Sequence, residues 1–296
     1  KGEGKMGKTE SNKEIFEKMP ISAALRAMVV PTVFSQIIVL IYNMADTFYV
    51  GRTNNPYMVA GTSLILPIFN ITLCLAGIAG IGGGALISRL LGKNMESEAR
   101  KASVFSLYLA IFVAAVFSVA TAVFMRPLLE FLGAGENTYT YARQYAFCVI
   151  VLGAVPTVLS NVMANLLRST GCSREAGIGI TLGGALNILL DPLFMFILLP
   201  DGYEVLGVGI ATFLSNCTAC CYFMIVLFRM RRGTVITFRL SEGMPRRENI
   251  VAVFAVGIPS AIATLLFDLD YVIVDRLMVS YSDLALAAIG IVLKVE

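Results

Sequence analysis

The sequence contains no histidine, and only 15% of its 296 residues are charged. Soluble globular proteins carry about 25% charged residues, so this shortage indicates that lipid is the main solvent of the chain. The missing histidine removes the commonest proton carrier near neutral pH, and any proton chemistry must therefore use carboxyl groups. The net charge of +3 is too small to predict binding to nucleic acid.

The six cysteines do not form the pattern of a disulfide framework, which is typical of short secreted domains. Five of them lie inside apolar runs. Cys217, Cys220 and Cys221 have a spacing that a metal site could use, but no second cysteine pair accompanies them. We interpret them as small packing residues within a helix. We expect no cofactor, and no metal ion held by these cysteines.

Long apolar runs are abundant, since 57% of the residues are hydrophobic and the mean hydropathy is +0.79. A helix needs about 20 apolar residues to cross the hydrocarbon core. Seven runs are long enough, at 27–50, 58–87, 103–124, 145–167, 176–199, 205–228 and 250–274. An eighth run begins near Leu284 and ends after about ten apolar residues, which are too few for a span. We therefore expect the chain to be part of a longer protein.

Positive charges alternate between the two sides of this predicted bundle. Eighteen lysine and arginine residues lie near the N-terminus and in the loops after the second, fourth and sixth spans, against four on the other side. Cytoplasmic loops carry the excess of lysine and arginine. We therefore predict a multi-pass protein of the cell membrane with a cytoplasmic N-terminus. The tail at 1–20 has mixed charges and lacks the apolar core of a signal peptide.

A weak internal repeat divides the chain. The stretches ALRAMVVPTVF at 24–34 and AVFAVGIPSAI at 252–262 align their prolines, Pro31 and Pro259. The second stretch follows six spans, and an even number restores the orientation, so the halves are predicted to be parallel repeats, as in many transporters. We expect about twelve helices in the full protein. The predicted division is an N-lobe at 21–229, a cytoplasmic inter-lobe loop at 230–249 and the start of a C-lobe at 250–296.

Four acidic residues lie inside predicted spans: Asp46, Asp191, Asp268 and Asp270. A carboxylate at mid-membrane costs about 2.5–3.5 kcal/mol on insertion scales, so it usually faces a polar cavity and marks function. Asp268 and Asp270 are two residues apart and point to different faces of a helix, so we expect at most one of them to face a shared cavity. Asp46 could instead be an interfacial acid, and Asp191 could make a structural hydrogen bond.

Spacing and depth predict that several polar side chains converge in the outer half of the membrane. Asn187 and Asp191 share one helix face because they are four residues apart, and Thr212 of the sixth span lies at a similar depth. Carboxylate, amide and hydroxyl oxygens suit a hard cation such as sodium, and two close carboxylates cannot both ionise cheaply. The predicted pocket holds a proton or a sodium ion. On the first span, Asp46 shares a face with Tyr42 and Asn43.

Two further features concern the helix backbones. Pro31 lies inside the first span, where a proline frees a backbone carbonyl and allows bending. A bend there would swing Asp46, although a static kink is an equal alternative. The run GIGGGA at 80–85 lies within a predicted span and follows no strand, so we interpret it as close helix packing rather than as a phosphate loop.

The chain resembles the multidrug and toxic compound extrusion (MATE) transporters, most nearly the branch typified by DinF. The resemblance runs from about residue 21 to the end. The matching stretches are YNMADTFYVG at 42–51, GGGALISRLLGK at 82–93, NVMANLLRSTG at 161–171 and GGALNILLDPLFMF at 183–196. The second and fourth of these are the most specific in combination.

This resemblance implies an all-α membrane protein with two six-helix lobes related by a pseudo-two-fold axis, of which the chain would hold the N-lobe, helix 7 and part of helix 8. It implies a secondary antiporter that exports organic, often cationic and amphipathic compounds in exchange for protons or sodium ions. We expect a monomer that contacts membrane lipid. The residues that match the family's sites are Asp46, Asn187, Asp191 and Thr212 for the cation, Asn161 and Asp268 for the cavity, and Pro31 for the bend.

Three other functions were compared with antiport. A flippase for lipid-linked sugars would need cations in its cavity for pyrophosphate, and the seven complete spans carry no lysine or arginine at mid-depth. A membrane-embedded enzyme would need a nucleophile or metal set beyond Asp46 and Asp191. A scaffold would not need buried acids. The sequence therefore favours a transporter over an enzyme, with the flippase as the alternative transport function.

Overall fold

A computed structural model describes the backbone of residues 20–231 and 233–281 and, apart from residues 21, 24, 267, 268 and 270–281, their side chains. Throughout this part the regular structure is helical. Two π-helical turns, Phe147–Leu152 and Phe194–Leu198, and a 3-10 turn, Leu240–Glu242, join or extend the main helices. The main helices are α1 (Ile21–Gly51), α2 (Pro56–Ser63), α3 (Leu66–Gly92), α4 (Glu96–Val123), α5 (Met125–Phe131), α6 (Glu136–Ala146), α7 (Ala154–Ser169), α8 (Ser173–Leu193), α9 (Glu204–Met230) and α10 (Arg247–Tyr281).

Six helical segments of the described chain are long and apolar enough to cross a membrane, and a bent pair makes a seventh. The bent pair is the predicted fourth span, in which Glu136–Leu152 and Ala154–Ser169 meet at 50°. A π-helical turn and then Gly153 and Pro156 lie at this break, and proline cannot donate the hydrogen bond that a continuous helix needs. The prediction of an all-α fold with several membrane spans is confirmed.

The main apolar core lies between α3, α4, α7, α8 and α9. Its most enclosed side chains include Ile87 of α3, Leu107 of α4 and Leu166 of α7, which are fully buried. A second apolar cluster around Ile65 and Leu129 packs α3 against α5 and α6. Among the described residues, α1 adds none of its side chains to this core and contacts the other helices chiefly through α8.

The glycine run of α3 confirms the prediction of close helix packing. A methyl group added at Gly80 or Gly84 would contact Asn165 or Ser169 of α7, and one at Gly83 would overlap Ser106 of α4. Glycines on different faces of α3 therefore allow different helices to pack directly against its backbone.

The contact between α3 and α10 depends on a reciprocal pair of glycines. A methyl group on Gly82 would overlap the carbonyl oxygen of Val253, and one on Gly257 would overlap the carbonyl oxygen of Ile78. The two backbones thus pack directly against each other over about one helical turn. This is where the seventh span, the predicted start of the C-lobe, meets the first six.

The segment that joins α9 to α10 lies against α4 instead of extending away from it. Ser103 of α4 donates its hydroxyl hydrogen to the carbonyl of Val235 (3.0 Å) and accepts a bond from the amide of Thr237 (3.1 Å). At the start of α10, Asn249 donates to the carboxylate of Glu98 at 3.0 Å. The predicted inter-lobe loop at 230–249 is therefore held against α4 by several hydrogen bonds.

Substitution of Gly82 by alanine is expected to destabilise the protein by about 1–3 kcal/mol, since the added methyl group must push α10 away from α3. The measurement is the thermal unfolding midpoint of the full-length protein in detergent. Gly92→Ala is the matched control, because a methyl group there meets nothing within 4 Å and alanine is the better helix former. Equal midpoints for the two variants would contradict the packing described.

Candidate cation-binding site

Asn187 and Asp191 lie one turn apart on the buried face of α8. Their side chains are 2% and 0% exposed, and the amide nitrogen Nδ2 of Asn187 donates to Oδ1 of Asp191 at 3.2 Å. Pro192 follows within the same helix. A proline in a helix interior cannot donate the backbone hydrogen bond that the carbonyl one turn earlier would normally accept.

Helix α9 brings Thr212 to the same place. The Nδ2 atom of Asn187 lies 3.5 Å from Oγ1 of Thr212, whose side chain is only 8% exposed. Ser215, one turn further along α9, is also buried. Glycine at position 207 allows α9 to approach closely, because an added methyl group there would be 3.0 Å from the backbone of Phe194.

Helix α1 contributes the second acid. The carboxyl group of Asp46 is half-buried and lies within hydrogen-bonding reach of the carboxyl group of Asp191. Tyr42, one turn before Asp46, packs against α8 at Gly184, where an added methyl group would be 2.9 Å from the tyrosine ring. The predicted convergence of Asp46, Asn187, Asp191 and Thr212 is therefore present in the geometry.

The sequence did not point to Tyr145, which also belongs to this cluster. It lies at the end of α6 and is close enough to Thr212, Asp46 and Asp191 to interact with all three electrostatically. A tyrosine in an apolar run carries no spacing signal of its own. Only the bend of the fourth span, which turns the end of α6 towards α9, brings Tyr145 to the acids.

Several oxygen atoms of the cluster are buried without a hydrogen-bond partner among the protein atoms: Oδ1 of Asp46, Oδ1 of Asn187, Oδ2 of Asp191 and Oγ of Ser215. Buried polar atoms are normally paired, and each exception needs an explanation. Carboxylate, amide and hydroxyl oxygens are the ligands of hard cations. The donor set therefore fits a sodium ion, and its two neighbouring carboxyl groups also fit a shared proton.

Other residues predicted for this region lie outside the cluster. Asn43 is exposed on α1, and Asn161 on α7 donates its Nδ2 hydrogen to the carbonyl of Thr157 in its own helix at 2.9 Å. Asp268 belongs to α10, but its side chain lies outside the described residues. Pro31 is inside α1, which remains helical on both sides of it.

Comparison with known proteins identifies the family. A family profile described as MatE matches residues 31–193, a range that covers Pro31 and both acids of the cluster. The chain belongs to the MatE family. The family resemblance found in the sequence is therefore confirmed, while the DinF-like branch stays a prediction.

The relatives of this MatE chain are export proteins and transporters. It is 27% identical over 278 residues to the multidrug export protein MepA of Staphylococcus aureus, a match that covers 93% of the chain and 60% of the relative. A solved MATE structure in the straight conformation is 26% identical with a TM-score of 0.87, covering 95% of this chain and 61% of that one. For MATE in the bent conformation the identity is also 26%, the TM-score is 0.79, and the coverage is 90% and 59%.

The match leaves a large part of each relative uncovered. The chain spans about 60% of the length of the curated relatives that it matches. The apolar helices of this chain and the transporter fold of its relatives both indicate a multi-pass membrane protein.

Replacing Thr212 by valine removes the hydroxyl group of α9 that accepts a hydrogen bond from the Asn187 amide of α8. Unpaired buried donors cost about 1–3 kcal/mol, so the thermal midpoint of the full-length protein is expected to fall. Thr218→Val is the control on the same helix, because the Thr218 hydroxyl bonds only to the carbonyl of Leu214 one turn away. A Thr212→Val midpoint no lower than that of Thr218→Val would contradict the proposed network.

Proposed function

We propose that the protein is a secondary antiporter that exports organic, often cationic and amphipathic compounds in exchange for protons or sodium ions. The observation that carries the proposal is the buried cluster of Asp46, Asp191 and Asn187 with its unpartnered oxygen atoms. An acid pair inside a membrane bundle is expensive and usually marks an ion pathway. The multidrug export proteins among the relatives support an organic substrate.

The coupling ion would bind between the two carboxyl groups. When neither a proton nor a sodium ion is present, the carboxylates of Asp46 and Asp191 repel each other at hydrogen-bonding distance. A bound cation removes this repulsion and draws α1 towards α8. Asn187 orients Asp191, and Thr212 in turn accepts a hydrogen bond from Asn187. Tyr145 lies near both acids.

The packing of α1 on α8 offers a route from the ion to the substrate. A methyl group at Gly177 would be 2.9 Å from the carbonyl oxygen of Pro31, and Gly184 contacts Ile38 and Tyr42 in the same way. Movement of Asp46 is therefore transmitted along this seam to Pro31, the proposed hinge.

Ion binding would drive export by favouring one state of α1. A ligand shifts an equilibrium only through its different affinities for the two states, and here the difference is whether Asp46 lies beside Asp191. Asn43 and Asn161, together with Asp268 of α10, are proposed to line the neighbouring substrate cavity. The proposed setting is the cell membrane with a cytoplasmic N-terminus, in a monomer that needs no cofactor besides the coupling ion.

Asp191→Asn is expected to lower transport at least about tenfold, because it removes a charged partner of the cation that contributes roughly 1.5–3 kcal/mol. The measurement is efflux of a fluorescent organic cation from liposomes that contain the full-length protein. Proton and sodium gradients are imposed separately, and the gradient that drives the wild type identifies the ion.

Asp201→Asn is the matched control, since Asp201 is exposed in the loop between α8 and α9. It is expected to transport like the wild type. Wild-type rates for Asp191→Asn under both gradients, with folding intact, would overturn the assignment.

A further inference from the structure

Ser215 of α9 carries a buried hydroxyl group that does not bond to its own helix. Its side chain is 3% exposed, and its Oγ has no hydrogen-bond partner among the described residues. Serine and threonine within a helix can donate to a carbonyl one turn earlier, as Thr72, Ser160 and Thr218 do at 3.1, 3.0 and 2.9 Å. The Ser215 hydroxyl makes no such bond, so its oxygen is free to bind a ligand.

The contacts of α8 and α9 place Ser215 beside the acid cluster. Ser215 follows Thr212 by three residues and therefore shares its helix face. Side chains of a helix lean towards its N-terminus, which on α9 is the direction of Thr212. At the same level, a methyl group on Gly183 of α8 would be 3.5 Å from the carbonyl oxygen of Ser215. Asn187, which donates to Thr212, is one turn beyond Gly183, so Ser215 lies one turn from this contact.

The amide of Asn187 adds a second neutral oxygen to this region. Its nitrogen donates to Asp191 and Thr212, while its own Oδ1 is buried without a partner among the protein atoms. A proton shared by the two acids would pair carboxyl oxygens only, and would leave Oδ1 of Asn187 and Oγ of Ser215 unpaired. A hard cation takes several oxygen ligands at once, neutral ones included. The unpaired oxygens therefore match a sodium ion better than a proton.

We propose that Ser215 is a ligand of a coupling sodium ion, and that its hydroxyl group determines whether the pocket can hold sodium as well as a proton. The ion binds Asp191 and the amide oxygen of Asn187 on α8, and Ser215 completes its shell from α9. The inference rests on the proposed antiporter, because it assigns a further ligand to the same ion. Without this hydroxyl the carboxyl pair still binds a proton, since a shared proton needs no neutral oxygen.

Two binding measurements on the full-length protein in detergent separate the two cations. Equilibrium binding of radioactive sodium is measured at alkaline pH, where protons do not compete. Proton binding is followed in sodium-free buffer through the protonated-carboxyl infrared band, which is assigned by its loss in Asp191→Asn. Ser215→Ala is expected to raise the sodium Kd at least about tenfold, because interactions of a hydroxyl with a charged group are strong ones. The midpoint of the proton titration is expected to stay in place.

Ser160→Ala is the matched control. It removes a buried hydroxyl group of α7 that bonds to the carbonyl of Thr157 in its own helix, so sodium binding is expected to stay at the wild-type level. Ser215→Thr keeps the oxygen and should retain sodium binding. Ser215→Cys is close to serine in size but presents sulfur, a poor ligand for a hard cation, and should lose sodium binding as alanine does. This pair separates ligand chemistry from packing.

Three results would overturn the role of Ser215: wild-type sodium affinity in Ser215→Ala, an equal loss of sodium and proton binding in that variant, or a wild type that binds no sodium. The last result would leave the antiporter standing as a proton-coupled protein. Binding requires no transport, so a protein that exports no organic cation would refute the antiporter and leave the sodium measurement valid. The two proposals therefore fail separately.

Discussion

Two carboxyl groups within hydrogen-bonding reach of each other, inside a bundle of apolar helices, are the constraint on which the rest of the site depends. Asp191 is fully buried, and Asp46 approaches it from another helix. Water does not compensate such a pair as it would at a surface. The surrounding polar groups, Asn187, Thr212 and Tyr145, hold the acids in place, yet leave oxygen atoms unpaired. This incomplete pairing is the physical reason to assign a cation to the pocket.

In the proposed antiporter, the position of α1 allows the acid pair to act on the packing of this helix. Five helices, α3, α4, α7, α8 and α9, share the main core, while α1 packs mainly on α8 along Gly177 and Gly184. A helix held by a narrow glycine seam can change its packing without disrupting that core, and the charge state of Asp46 bears directly on the seam. At the opposite edge, Gly82 and Gly257 bring α3 and α10 into direct backbone contact. The contact of α3 with α10 therefore joins the lobe firmly to the next span. The contact of α1 with α8 is instead proposed to respond to the charge of Asp46.

The sequence predicted the parts of the site that depend on helical periodicity and membrane depth. Asn187 and Asp191 share a face because of their spacing, and Asp46 and Thr212 reach the same level because their spans run in opposite directions. Tyr145 escaped prediction because its position depends on the 50° bend and the π-helical turn of the fourth span. Asn43 is spaced to share a helix face with Asp46, but it is exposed. Residues on one helix face do not all take part in the same contact, because the face is broader than the contact.

Infrared difference spectroscopy on the full-length protein tests the central claim, that the acid pair holds the coupling cation, most directly. Spectra would be recorded between acid and alkaline buffers, with and without sodium, for the wild type, Asp46→Asn and Asp191→Asn. If the acid pair holds the cation, a protonated-carboxyl C=O band is lost on alkalinisation or on sodium binding and is absent or shifted in both variants. Identical difference spectra for the wild type and the two variants would show that neither acid exchanges the cation, and would contradict the account.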